Sequence, residues 1–155
     1  MKKIVFGITS LRPGGAERVL IDIVNKLCNK YDITVFTLYG EGSFEKQLSK
    51  KVKHVTLNEK SFESLSFFKR KIMSLRVIIP FLRNRIYKKY IKDFDVKISF
   101  LEGPITWIFG SNDNSYKVAW VHNDIKDVFN DSKSNSIIAD KNAAIPPFIS
   151  HTPNP

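Results

Sequence analysis

Apolar positions recur along this chain with two alternating periods. Ile4 to Thr9 is a short run rich in β-branched residues, which reads as a buried strand. Ala16, Leu20, Ile23, Val24 and Leu27 then return at helical spacing, which predicts an amphipathic helix. The alternation continues. Ile33 to Leu38 reads as a second strand, Phe44 to Ser49 as a short helix and Val52 to Leu57 as a third strand. Phe62 to Ile79 reads as mostly helical, and Pro80 opens a further helix that runs to about Lys92. Asp95 to Phe100 is a fourth strand, Ile105 to Gly110 a short helix and Lys117 to Val121 a fifth strand. Strands alternating with helices predict an α/β, Rossmann-like parallel sheet with helices on both faces. In such a sheet ligands sit at the carboxyl ends of the strands.

The pattern divides the chain into a domain over 1–129 and an irregular tail over 130–155, where periodicity fades and Ser, Asn and Pro accumulate. The tail reads as flexible. At 155 residues the chain can bury one sizeable core. No apolar run reaches the ~18 residues of a spanning helix. Met1-Lys2-Lys3 leads into the first strand and not into a signal peptide. The single cysteine, Cys28, lies on the apolar side of the first helix and rules out a disulfide within the chain. A cytoplasmic setting fits.

Charge sharpens this picture. The chain carries a formal +10. Ten Lys and Arg fall between Lys60 and Lys92 against one acid, Glu63, which leaves the rest of the chain nearly neutral. One concentrated stretch predicts a surface with a partner. Its apolar residues include Phe67, Phe68, Ile72, Leu75 and Leu82, and its cations include Lys69, Arg70, Lys71, Arg85, Lys88 and Lys89. Aromatic residues interleaved with cations suit an anionic membrane interface. The alternative is that the apolar residues cover the sheet and the charges are merely solvated. Nucleic acid is suggested by charge alone. No recognised DNA or RNA module is present, so no nucleic-acid partner is expected.

Three loops hold the candidate chemistry. Arg12-Pro13-Gly14-Gly15 joins the first strand to the first helix and places bare amides at a helix N-terminus, which favours phosphate or carboxylate. Glycine there is expected to permit close ligand approach and unusual backbone angles. Arg12 and Arg18 add positive charge nearby. Glu102 follows the fourth strand, and His122, Asn123 and Asp124 follow the fifth. Asn and Asp also cap helices, and Glu17 is favoured in a first turn whatever the function. His54 and His151 lie apart, so no metal site is expected. No Ser-His-Asp set and no paired carboxylates stand out.

Three segments in order, Gly14-Gly15-Ala16-Glu17, Asp95 to Thr106 (DVKISFLEGPIT) and Lys117 to Asp124 (KVAWVHND), resemble the N-terminal half of the family-4 retaining glycosyltransferases of GT-B fold. The resemblance covers roughly residues 1–127. It implies the acceptor-side half of a sugar-nucleotide-dependent enzyme of bacterial surface polysaccharide or glycolipid synthesis. The sugar nucleotide would be the donor substrate, with no further cofactor, and a glycan or lipid-linked glycan the acceptor. His122 would lie beside the donor sugar as the catalytic group. Gly14, Gly15, Arg12, Arg18, Glu102, Asn123 and Asp124 would contact substrate. Family members with lipid-linked acceptors also imply a peripheral position at the inner face of the cell membrane. The family's second domain, with its basic pair and Glu-x7-Glu-type motif, has no counterpart in these residues, so the chain is expected to be inactive alone. The alternative is a non-catalytic binding module, or a subunit docking on a separate donor-binding chain.

Overall fold

A computed structural model describes residues 1–101, 103–110, 113 and 115–120. The expected tail over 130–155 lies outside them. The strands are β1 (Lys3–Ile8), β2 (Asp32–Thr37), β3 (Lys53–Thr56), β4 (Val96–Ser99) and β5 (Tyr116–Ala119). The helices are α1 (Gly15–Leu27), α2 (Phe67–Ile78), α3 (Pro80–Tyr90) and α4 (Pro104–Phe109), with a 3₁₀ turn over Ser43–Gln47. All pairings are parallel, in the order β3-β2-β1-β4-β5. This is the Rossmann-like α/β arrangement.

Alternation along β1 divides the core in two. Ile4, Phe6 and Ile8 face one side and pack with Leu20, Ile21 and Val24 of α1. Val5 faces the other side and packs with Val77 of α2, Ile86 and Tyr87 of α3, and Ile105, Ile108 and Phe109 of α4. Helices therefore cover both faces, and β1 is buried from both. Gly7 lies on the α4 side. A Cβ there would meet Phe109 Cζ at 2.5 Å and Ile105 Cγ2 at 2.7 Å, so α4 seats directly on bare backbone.

Two elements differ from their expected bounds. Helix α2 starts at Phe67 and not at Phe62, because Ser61 and Ser64 turn the chain first. Their hydroxyls bond each other at 2.7 Å, and the Glu41 carboxylate accepts from the Ser61 N–H at 3.0 Å and the Ser64 hydroxyl at 3.2 Å. Short polar side chains compete here with helical backbone bonding. Residues 43–47 wind as a 3₁₀ turn, clipped to α1 by Asn25. That side chain donates to the Gln47 carbonyl at 2.8 Å and accepts from the Ser49 N–H at 2.7 Å. Between α2 and α3, Ile79 is extended (φ −73°, ψ 117°), as a residue before proline must be, and Pro80 opens α3 as expected.

A buried lysine ties down the amino-end edge of the sheet. Lys97 of β4 is fully buried. It donates to the Tyr87 hydroxyl at 2.7 Å, the Asp113 carboxylate at 2.9 Å and the Lys92 carbonyl and Ser115 hydroxyl at 3.0 Å each. Burial, then the nearby Lys117 charge, pull its pKa down to about 8. The Asp93 charge opposes this only in part, and Lys117 shares the Asp113 carboxylate at 2.8 Å.

Gly7→Ala should destabilise the fold by about 1–3 kcal/mol through overpacking under α4, read from urea midpoints. For Lys97 the unfolded chain binds the extra proton between pH 8 and 10.5, so the fold gains stability as pH rises through that window. Stability curves of wild type and Lys97→Met should diverge in favour of wild type from about pH 8 to 10.5. Parallel curves would show that Lys97 titrates normally.

Candidate functional site

The strand order reverses direction at β1. From β1 the chain passes through α1 to β2 on one side, and it returns through α2 and α3 to β4 on the other. The switch point therefore lies between the carboxyl ends of β1 and β4, where open α/β sheets form a ligand crevice. One lip is the segment over 9–14. The other is the segment after Ser99.

The first lip is held firmly. The Thr9 carbonyl accepts from the N–H groups of Leu38 and Tyr39, both at 3.1 Å, and the Leu11 carbonyl accepts from Phe44 at 3.0 Å. The Leu11 side chain is fully buried. A Cβ at Gly42 would run into the Leu11 backbone, so this is the glycine that closeness requires. The tip, Arg12 to Gly15, is exposed.

At that tip the role expected of glycine needs correcting. Gly14 is extended, with φ −166° and ψ 163°, and Gly15 is the first helical residue. Neither needs a left-handed backbone. A Cβ on Gly15 would meet nothing within 4 Å, and one on Gly14 would meet only the flexible Glu17 carboxylate. Their smallness keeps the start of α1 open. No side chain caps that helix end, and the Glu17 carboxylate folds back beside Gly14 at the positive end of the helix dipole.

The two arginines are already engaged. Arg12 forms an ion pair with Glu63, which ties the lip to the turn before α2. Arg18 donates to Gln47 Oε1 at 2.7 Å and lies 3.7 Å from Asp22. A ligand anion at the tip would compete with Glu63 for Arg12.

The second lip is set by side chains. Ser99 and Thr106 hydroxyls lie 2.9 Å apart, and each donates to the Leu101 carbonyl, at 3.0 and 3.1 Å. Gly103 takes a positive φ of 98° before α4, a position that does favour glycine. Beside it, Trp120 follows β5, its N–H bonded to the Ser99 carbonyl at 2.7 Å. Its ring lies 5.1 Å from that of buried Phe100 and is 44% exposed. Trp120 was not among the expected site residues. The apolar pattern put it inside the fifth strand, Lys117 to Val121, whereas β5 ends at Ala119. An exposed indole at a strand's carboxyl end offers a flat apolar face to a ligand ring.

Glu102, His122, Asn123 and Asp124 lie outside the described residues. β4 stands between β1 and β5, so the glycine segment and His122 follow strands two positions apart and not neighbouring ones. At about 4.8 Å per strand, their strands are ~10 Å apart. His54 is structural. Its Nε2 lies 3.0 Å from Thr37 Oγ1, and burial lowers its pKa, with Glu45 opposing. Among the described residues no cluster of metal-ligating side chains occurs.

No family model matches the chain. A comparison with curated proteins finds a relative in Campylobacter jejuni that is 35% identical over 104 residues, or 66% of this chain. Its name is GalNAc-alpha-(1->4)-GalNAc-alpha-(1->3)-diNAcBac-PP-undecaprenol alpha-1,4-N-acetyl-D-galactosaminyltransferase. This chain is similar to a glycosyltransferase. It spans about a quarter of that relative's length, 26%.

The Arg12–Glu63 pair has side chains 44% and 61% exposed, so solvent screens it. In a double-mutant cycle with Arg12→Gln and Glu63→Gln, each single change should cost less than about 1 kcal/mol. A larger coupling would mean that this lip depends on the pair for its fold.

Proposed function

We propose that this chain is the acceptor-side half of a sugar-nucleotide-dependent glycosyltransferase of the retaining GT-B kind, acting in bacterial surface polysaccharide or glycolipid synthesis. The observation that carries the proposal is the open, uncapped start of α1 at the switch point of the sheet, in a chain similar to a transferase that acts on a lipid-linked glycan. An acceptor-binding half needs an exposed crevice facing the donor, and amides at a helix start suit the donor's phosphates.

In this reading the sugar leaves its nucleoside diphosphate as an acceptor hydroxyl attacks from the same face. The bond from the anomeric carbon to the diphosphate oxygen breaks, the bond to the acceptor oxygen forms, and the hydroxyl proton passes to the departing diphosphate. The negative charge that develops is stabilised electrostatically, which asks few catalytic groups of this half. His122 is assigned to the donor sugar as a hydrogen-bonding or polarising group. Glu102, Asn123 and Asp124 are assigned to sugar hydroxyls, and Trp120 to an apolar ring face.

Sugar transfer to a lipid-linked glycan tests this. The 155-residue chain alone should give no turnover with a panel of sugar nucleotides. Joined to a donor-binding half, it should become active. In that pair Gly15→Ala should cut kcat/KM about a hundredfold, the scale of a 1 Å misplacement, while the melting temperature holds. His122→Ala should lose transfer with native circular dichroism. Turnover by the chain alone, or wild-type transfer by Gly15→Ala, would overturn the proposal.

A further inference from the structure

Arg12 stands at the exposed tip of the first lip, yet a carboxylate of the protein already holds it. Two nitrogens of its guanidinium meet the two oxygens of Glu63, a residue 51 positions further along the chain. This forked pairing is also how a guanidinium receives a phosphate. Glu63 thus presents to Arg12 what an oxyanion would present. Among the described residues neither side chain bonds to anything else, and both are exposed.

The backbone beneath Glu63 is much more firmly held than its side chain. On one side the Glu41 carboxylate accepts from the Ser61 N–H and the Ser64 hydroxyl. On the other side Arg70 donates from Nε to the Leu65 carbonyl at 3.0 Å and from Nη2 to the Glu63 carbonyl at 2.8 Å. The Arg70 guanidinium also lies 4.7 Å from the Phe62 ring centroid. An anchored turn therefore aims a solvated carboxylate at the lip. Two of the three Arg70 nitrogens are used in the anchoring, and Nη1 bonds no described residue. A second guanidinium thus lies at the root of the same glutamate.

We propose that Glu63 is a positioning residue that acts through Arg12: it holds the guanidinium while the crevice is empty, yields it to a diphosphate and passes to Arg70. The proposal rests on the reading of the crevice as a substrate site. A diphosphate has the forked fit of a carboxylate and more charge, so it can win the exchange, whereas an uncharged hydroxyl cannot. Any ligand that uses Arg12 must displace Glu63, so its apparent affinity falls with the fraction of molecules in which Arg12 is free. For a screened ion pair that fraction is roughly a sixth to two fifths. The same competition favours release. As an anionic product loosens, Glu63 retakes Arg12.

Titration of the full 155-residue chain with inorganic pyrophosphate provides the test, read from the Arg12 and Arg70 Nε–H resonances at 0.15 M salt. Pyrophosphate should move both resonances in the wild type. Glu63→Gln should bind it about two- to sixfold more tightly, with Arg70 no longer moving. Arg12→Gln should bind it more weakly. Adding Glu63→Gln to Arg12→Gln should give no further tightening, because distant charges are screened at this ionic strength. All of these changes fall on exposed side chains, so the variants should keep native circular dichroism. Equal tightening in both backgrounds would mean plain charge repulsion and would overturn the proposal, as would no tightening in either. An unmoved Arg70 in the wild type would overturn the transfer to that residue. Binding that leaves Arg12 unmoved would overturn the role of Glu63 while keeping the crevice as an anion site. Absence of binding by both wild type and Glu63→Gln would overturn the crevice reading as well.

Discussion

The central strand must be covered on both faces at once, and the rest of the fold follows from that requirement. β1 bonds to β2 on one side and β4 on the other, so it has no edge to solvent. Its odd and even side chains feed two separate cores. On the α4 side the covering helix comes so close that Gly7 has no room for a side chain. That closeness sets the position of α4. A glycine near the carboxyl end of β1 thus lets α4 seat against the sheet.

Much of the architecture was legible because it depends on periodicity. Each strand and helix appears where the apolar spacing puts it, within a few residues at the ends. The exceptions share a cause. The lead-in to α2 and the 3₁₀ turn are decided by side chains distant in sequence, Glu41 in one case and Asn25 in the other. No local pattern announces such partners. Lys97 is a related case. A lysine within a short strand invites an exposed position, yet four acceptors from three different segments make a buried one tenable.

The site was legible in location more than in detail. The glycine segment lies at the switch point as a parallel sheet requires. What spacing does not reveal is that Arg12 and Arg18 already have partners, or that a partly exposed Trp120 packs against buried Phe100. Arg70 shows the same limit on the basic stretch. It sits among solvated cations in sequence and against two backbone carbonyls in space. For the apolar residues of α2 the periodicity was ambiguous, because apolar residues lie on two opposite faces with the cations between them.

The turn over Ser61–Leu65 connects these regions mechanically. At one end Glu63 grips Arg12 beside the crevice, and at the other its carbonyl holds Arg70 at the root of α2. A single residue thus bridges the outward-facing helix and the lip where α1 begins. Because its carboxylate is exposed and screened while its carbonyl is bonded to Arg70, movement of α2 would release the Arg12 contact before it disturbed the root of the helix.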